Sequence, residues 1–93
     1  MLAIARALLE KPVLLMLDEP SLGLAPLMVE NIAKIIQQIN QGGLSVLLVE
    51  QNAFVAFEIS HWGYILQSGH LALAGDTTEL LQNEQVRRVY LGL

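Results

Sequence analysis

The stretch Leu14-Leu15-Met16-Leu17-Asp18-Glu19-Pro20 decides how the rest of this 93-residue chain is read. Val13 to Leu17 is a continuous apolar run between Pro12 and Pro20. Its length and flanks predict a strand buried on both faces of a parallel sheet rather than a short buried helix. Two carboxylates follow the strand directly. In open α/β sheets ligands bind outside the carboxyl ends of the strands, so Asp18 and Glu19 are placed for a hard cation and a water. Asp18, still in line with the strand, can hold Mg²⁺ directly or through water. Glu19 points elsewhere, because side chains alternate along an extended chain, and can orient a nucleophilic water. This division of labour suits phosphoryl transfer. On these residues alone, Asp-Glu-Pro also reads as a polar turn leading to a helix.

Downstream, residues 18–23 form a loop, and Pro26 suits the first turn of a helix. Met28, Ile32, Ile35, Ile36 and Ile39 then recur at helical spacing, and Gly42-Gly43 stops the helix. Leu44 to Val49 is a second apolar strand, so residues 13–50 make a strand–helix–strand crossover of the right-handed type. Asn52 suits the cap of a short helix reaching about Ile59. Trp62 to Gln67 and Leu71 to Ala74 flank Ser68-Gly69 as a β-hairpin. Asp76-Thr77-Thr78-Glu79 resembles a capping box for a helix through Leu81, and a last helix runs from Glu84 to Tyr90. Upstream, Leu2 to Glu10 reads as a helix apolar on nearly every side, hence buried on most sides. The chain has no internal repeat or linker and is expected to be one domain.

Composition narrows the function. Five Lys+Arg against nine Asp+Glu give a net charge of −4, which argues against a nucleic-acid partner. The absence of cysteine excludes disulfides and thiolate metal sites. Hydrophobic residues make up 54% of the chain and charged ones only 15%, where a typical domain has about 25% charged. That surplus points to a piece normally covered by more protein. It is not a membrane span, which needs about 20 apolar residues in a row. The opening segment has Glu10-Lys11-Pro12 directly after it and no basic stretch before it, so it is not read as a signal peptide. The chain reads as cytoplasmic.

Taken together, the motifs resemble the nucleotide-binding subunits of ABC transporters. Leu14 to Glu19 is similar to that family's Walker B motif, and Ser21-Leu22-Gly23-Leu24 falls where the family has its D-loop. Leu2 to Leu8 looks like the helix after the signature motif. Val49-Glu50-Gln51 falls at the switch position, and Ser68-Gly69-His70 resembles the turn beyond the switch helix. The fold implied is α/β: a partial P-loop NTPase-like domain with parallel strands and a crossover helix, then a β-hairpin and C-terminal helices. Residues 1–93 would be the C-terminal portion of a single ABC ATPase domain. DEPSLGLAP, VEQNA and VRRVYLGL are similar to the ATPases of branched-chain amino acid importers, and importers of urea or short amides have similar subunits.

The resemblance implies ATP and Mg²⁺ as cofactors, with Asp18 supporting the metal and Glu19 polarising the attacking water. Gln51 would reach the γ-phosphate and help align that water, or else only cap the following helix. Ser21, Leu22 and Gly23 would shape a loop facing a second ATPase subunit. The other implied partners are transmembrane permease subunits and, indirectly, a periplasmic or extracellular substrate-binding protein. The location implied is the inner face of the plasma membrane.

Several departures matter. These 93 residues contain no GxxxxGK[ST] phosphate loop and no signature motif, Leu24 stands where the D-loop usually ends in Asp, and Gln51 stands where the switch is usually His. The chain alone is therefore expected to be inactive, and a non-catalytic remnant is the competing reading. A small phospho-acceptor regulator fits worse, lacking the five strands and late Lys of that class. His61, His70, Arg87 and Arg88 are expected on the surface, and Trp62 and Tyr64 as anchors of the hairpin.

Overall fold

A computed structural model describes Leu2–Leu93, without the side chain of Leu2. The elements are α1 (Leu2–Leu9), β1 (Leu14–Asp18), α2 (Pro26–Gln41), β2 (Ser45–Val49), α3 (Ala53–Ile59), β3 (Trp62–Gln67), β4 (His70–Asp76), α4 (Thr77–Gln82) and α5 (Glu84–Tyr90). They fall into two compact units, one ending at Gln51 and the other comprising Asn52–Leu93.

In the first unit β1 and β2 pair in parallel, from Leu14 opposite Ser45 to Asp18 opposite Val49. Helix α2 joins them as the crossover. Pro26 starts it, with a proline ring already set for helical φ. It ends where the Gly42 amide donates to the Gln38 carbonyl at 3.0 Å and Gly43 takes φ 105°. Ile32, Ala33 and Ile36 are the buried stripe of the helix. Leu15 is buried and Leu17, Val46 and Leu48 are half-buried. These four share one face of the sheet, because side chains alternate along each strand. Leu27 and Met28 lie in the first turn of α2 and are exposed. At 16 residues the helix is about 24 Å long, against about 17 Å for a five-residue strand.

Two expectations are corrected here. The strand pair is covered on one face only: Leu14, Met16, Leu47 and Val49 on the other face are 43–67% exposed. Likewise α1 buries a single stripe around Ile4, and Leu9 is 82% exposed. Both faces are apolar, and the described residues supply one covering layer instead of two.

The second unit is a β-hairpin backed by helices. β3 and β4 pair antiparallel from Trp62 opposite Asp76 to Gln67 opposite His70, with an irregularity between Ile65 and Leu66. The turn is Ser68-Gly69, both at positive φ (51° and 78°), as a two-residue turn matched to strand twist requires. Asp76 caps α4 by accepting from the Thr78 amide at 2.8 Å, and Asn83 caps α5 by accepting from the Val86 amide at 3.1 Å. Leu80, Val86 and Leu91 form the core. Gly63 and Gly75 are opposite one another, and Leu80 occupies the space their missing side chains leave. Thr77 is buried. Its amide donates to the His61 carbonyl at 3.0 Å, and its hydroxyl shares a 3.0 Å hydrogen bond with Ser60.

Candidate functional site

β1 and β2 are adjacent and parallel, so the residues that follow them leave the sheet along the same edge. Asp18 ends β1, exposed, on the uncovered face beside its strand partner Val49. It lines a shallow concavity of about 240 Å³ with Met16, Leu17, Leu47 and Val49. Glu19 comes next and is half-buried. Its backbone leaves the strand conformation altogether, at φ 47°, a left-handed geometry that side-chain-bearing residues rarely adopt. The Glu19 amide donates to the Val49 carbonyl at 2.6 Å, so the ladder runs one residue beyond β1 before the chain turns at Pro20.

The loop then closes by two successive turns. The Leu22 amide donates to the Glu19 carbonyl at 3.1 Å, and the Leu24 amide to the Ser21 carbonyl at 3.2 Å. Gly23 takes φ 77° with open space where a Cβ would stand. Within this loop the side chains diverge. Leu22 is exposed, whereas Ser21 is only 8% exposed and its hydroxyl donates to Glu50 Oε2 at 2.8 Å. Leu22 and Gly23 are thus the outward part of the loop.

Gln51 lies two residues beyond the end of β2 and is exposed. The cap of α3 is Asn52, whose side chain accepts from the Val55 amide at 3.4 Å. The capping role that competes for Gln51 is therefore filled by its neighbour. His61 and His70 are exposed, as are Arg87 and Arg88. Trp62 and Tyr64 stack edge-to-face with ring centroids 6.4 Å apart, and both are more than half exposed.

The donor set suits one kind of metal partner. Among the described residues no group of three or more His, Cys, Asp or Glu is placed to hold an ion. A single exposed carboxylate at a strand end fits Mg²⁺, which keeps several waters and takes one or two carboxylates plus substrate phosphates. The sequence reading passed over Glu50. The signal for it was a third carboxylate beside the switch position, but only the fold brings it to Ser21.

No protein-family model matches the chain. By fold, however, it matches part of an ATP-binding cassette of the ABC transporter type. It superposes on cbiO1 from Clostridium perfringens, part of the ABC transporter complex cbiONQ, with a TM-score of 0.80 and 28% identity over 98% of this chain and 37% of that one. A second ATP-binding cassette, in its ADP conformation, gives a TM-score of 0.78 at 23% identity, covering 97% of this chain and 37% of that one. In sequence the chain is 49% identical to BraG of Pseudomonas aeruginosa, a high-affinity branched-chain amino acid transport ATP-binding protein, over 99% of its own length and 40% of the relative's. It is 43% identical to LptB of Escherichia coli K12, the ATP-binding protein of a lipopolysaccharide export system, over 96% of this chain and 37% of LptB. The resemblance to ABC transporter ATP-binding subunits read from the motifs is borne out. The chain spans about 40% of the length of the curated relatives it matches. Among the described residues no helix is long and apolar enough to cross a membrane.

Proposed function

We propose that the chain supplies the water-activating half of an ABC importer ATPase. ATP hydrolysis there drives uptake of branched-chain amino acids. The observation that carries this reading is the placement of Asp18-Glu19 and Gln51 at the carboxyl ends of two adjacent parallel strands. Asp18 would hold Mg²⁺ on the exposed side of the strand end, where the ion would supply charge neutralisation to the substrate's phosphates. Glu19 accepts a hydrogen bond from the attacking water and polarises it. Gln51 donates to a γ-phosphate oxygen and accepts from the same water, as a carboxamide has both a donor and an acceptor. Leu22 and Gly23 face a second ATPase subunit. The assembly works at the cytoplasmic face of the membrane with permease subunits, and a substrate-binding protein outside delivers the amino acid.

A chimera tests the proposal. Residues 1–93 replace the matched segment of BraG, and the product is assayed for ATP hydrolysis and for branched-chain amino acid uptake in cells lacking BraG. Restored uptake that depends on Glu19 supports the reading. A folded chimera that binds ATP without hydrolysing it points instead to a non-catalytic remnant. The 43% identity to LptB favours a second substrate reading, lipopolysaccharide export. The equivalent LptB chimera, tested for growth without LptB, separates the two, and uptake of urea or short amides distinguishes the remaining importer substrates.

A further inference from the structure

The bond between Ser21 and Glu50 joins residues 29 positions apart, and closing the loop does not require it. The backbone turns at Glu19–Leu22 and Ser21–Leu24 already do that locally. What the bond adds is position: it ties the loop after β1 to the residue between Val49, the end of β2, and Gln51. A hydroxyl donating to a carboxylate is a charge-assisted hydrogen bond, stronger than one between neutral groups, and Ser21 makes it while nearly buried.

A second tie lies beside it, from the Glu19 amide to the Val49 carbonyl. Glu19 is therefore held on its N-terminal side by its own amide and on its C-terminal side through Ser21. Only Pro20, with its fixed φ, lies between. Glu19 takes φ 47° within that bracket, beside the strand end that precedes Gln51.

We infer that Glu50 is a positioning residue for ATP hydrolysis, acting through Ser21 to hold Glu19 and Gln51 in mutual register. The inference rests on the proposed function. A catalytic group misplaced by about 1 Å can cost on the order of 10²-fold in rate, so loosening this tie affects turnover without touching the nucleotide.

The test is single-turnover hydrolysis and ATP affinity in the BraG chimera. Glu50→Ala is expected to slow hydrolysis by about 10- to 100-fold, with ATP affinity unchanged. Glu50→Gln keeps an acceptor oxygen and retains most of the rate. Ser21→Ala also slows hydrolysis, and the double variant is less slow than the product of the two single losses, because the bond they share is removed only once. Hydrolysis by Glu50→Ala at the parental rate overturns the inference, as do losses that multiply in the double variant. Should Glu50→Ala fail to fold, Ser21→Ala and Ser21→Thr decide: a slowed Ala with a near-parental Thr supports the tie, and equal rates overturn it. Glu19→Gln in the same chimera is the control. If it hydrolyses ATP at the parental rate, the assignment of the site itself fails, and this inference with it.

Discussion

Leu80 lies where a side chain on Gly63 would go: a Cβ built there would stand 2.9 Å from Leu80 Cδ1. Leu80 is buried to 4% exposure and has little room to retreat. In the chimera Gly63→Ala should lower stability by about 1–3 kcal/mol, the scale of overpacking in a core, read from chemical denaturation. Leu80→Val in that background should recover part of the loss, since the two sites share one space.

Glu19→Gln keeps the size of the side chain and removes the charge proposed to polarise the attacking water. Hydrolysis by the chimera should fall by roughly 10²-fold or more, while ATP binding survives. Loss of ATP affinity with a near-parental residual rate would contradict the assigned role.

Gln51 has no proton to lose near neutrality. Gln51→Ala should lose about 10²–10³-fold in kcat, the scale for removing one positioned donor. Gln51→His should keep partial activity and acquire a pH dependence between about pH 6 and 7.5, where an imidazole titrates. Single-turnover rates of the three forms across that range are the comparison. Because Asn52 already caps α3, parental activity in Gln51→Ala would leave Gln51 without a role.

The uncovered sheet face bears Leu14, Met16, Leu47 and Val49 together. Contiguous exposed apolar surface favours association, so the 93-residue chain by itself should sediment as oligomers at micromolar concentration. Met16→Lys with Leu47→Lys should shift it toward the monomer. A monodisperse parent chain would contradict this.

The same 93 residues should release no phosphate from Mg-ATP. They contain no phosphate loop, whose backbone N–H groups and Lys hold the β- and γ-phosphates. Turnover by the purified chain above that of its Glu19→Gln variant would contradict the expectation.

Much of the architecture was legible because its signals are local. Pro26 and Gly42-Gly43 bracket α2, Ser68-Gly69 marks the hairpin, and Asn52 and Asp76 each cap the helix that follows. The strand ends moved by a residue: Val13 lies outside β1 and is 91% exposed, whereas Asp18 lies inside it. Apolar content alone does not mark where pairing begins. Burial was less legible, because an apolar run gives no information about which side finds a partner layer. Within the candidate site, the placement of Asp18 and Glu19 at the end of one strand and of Gln51 just past the other followed from where the two apolar runs stop. The Ser21–Glu50 bond was not legible, since no local pattern links residues on opposite sides of a crossover.

The two-sided apolarity of β1 and β2 has a consequence for how the strands find their alignment. Sliding β2 by one residue along β1 turns every β2 side chain to the opposite face. Here that exchanges Val46 and Leu48 for Leu47 and Val49, one greasy set for another. Hydrophobic burial therefore discriminates weakly between the correct alignment and its nearest error. The discrimination falls to polar groups just past the strands: the Glu19 amide meets the Val49 carbonyl, and Ser21 meets Glu50, when Asp18 stands opposite Val49. The residues of the candidate site at this end of the sheet thus also serve as its vernier, and a mutation there is expected to lower the fidelity of strand pairing during folding as well as the proposed rate.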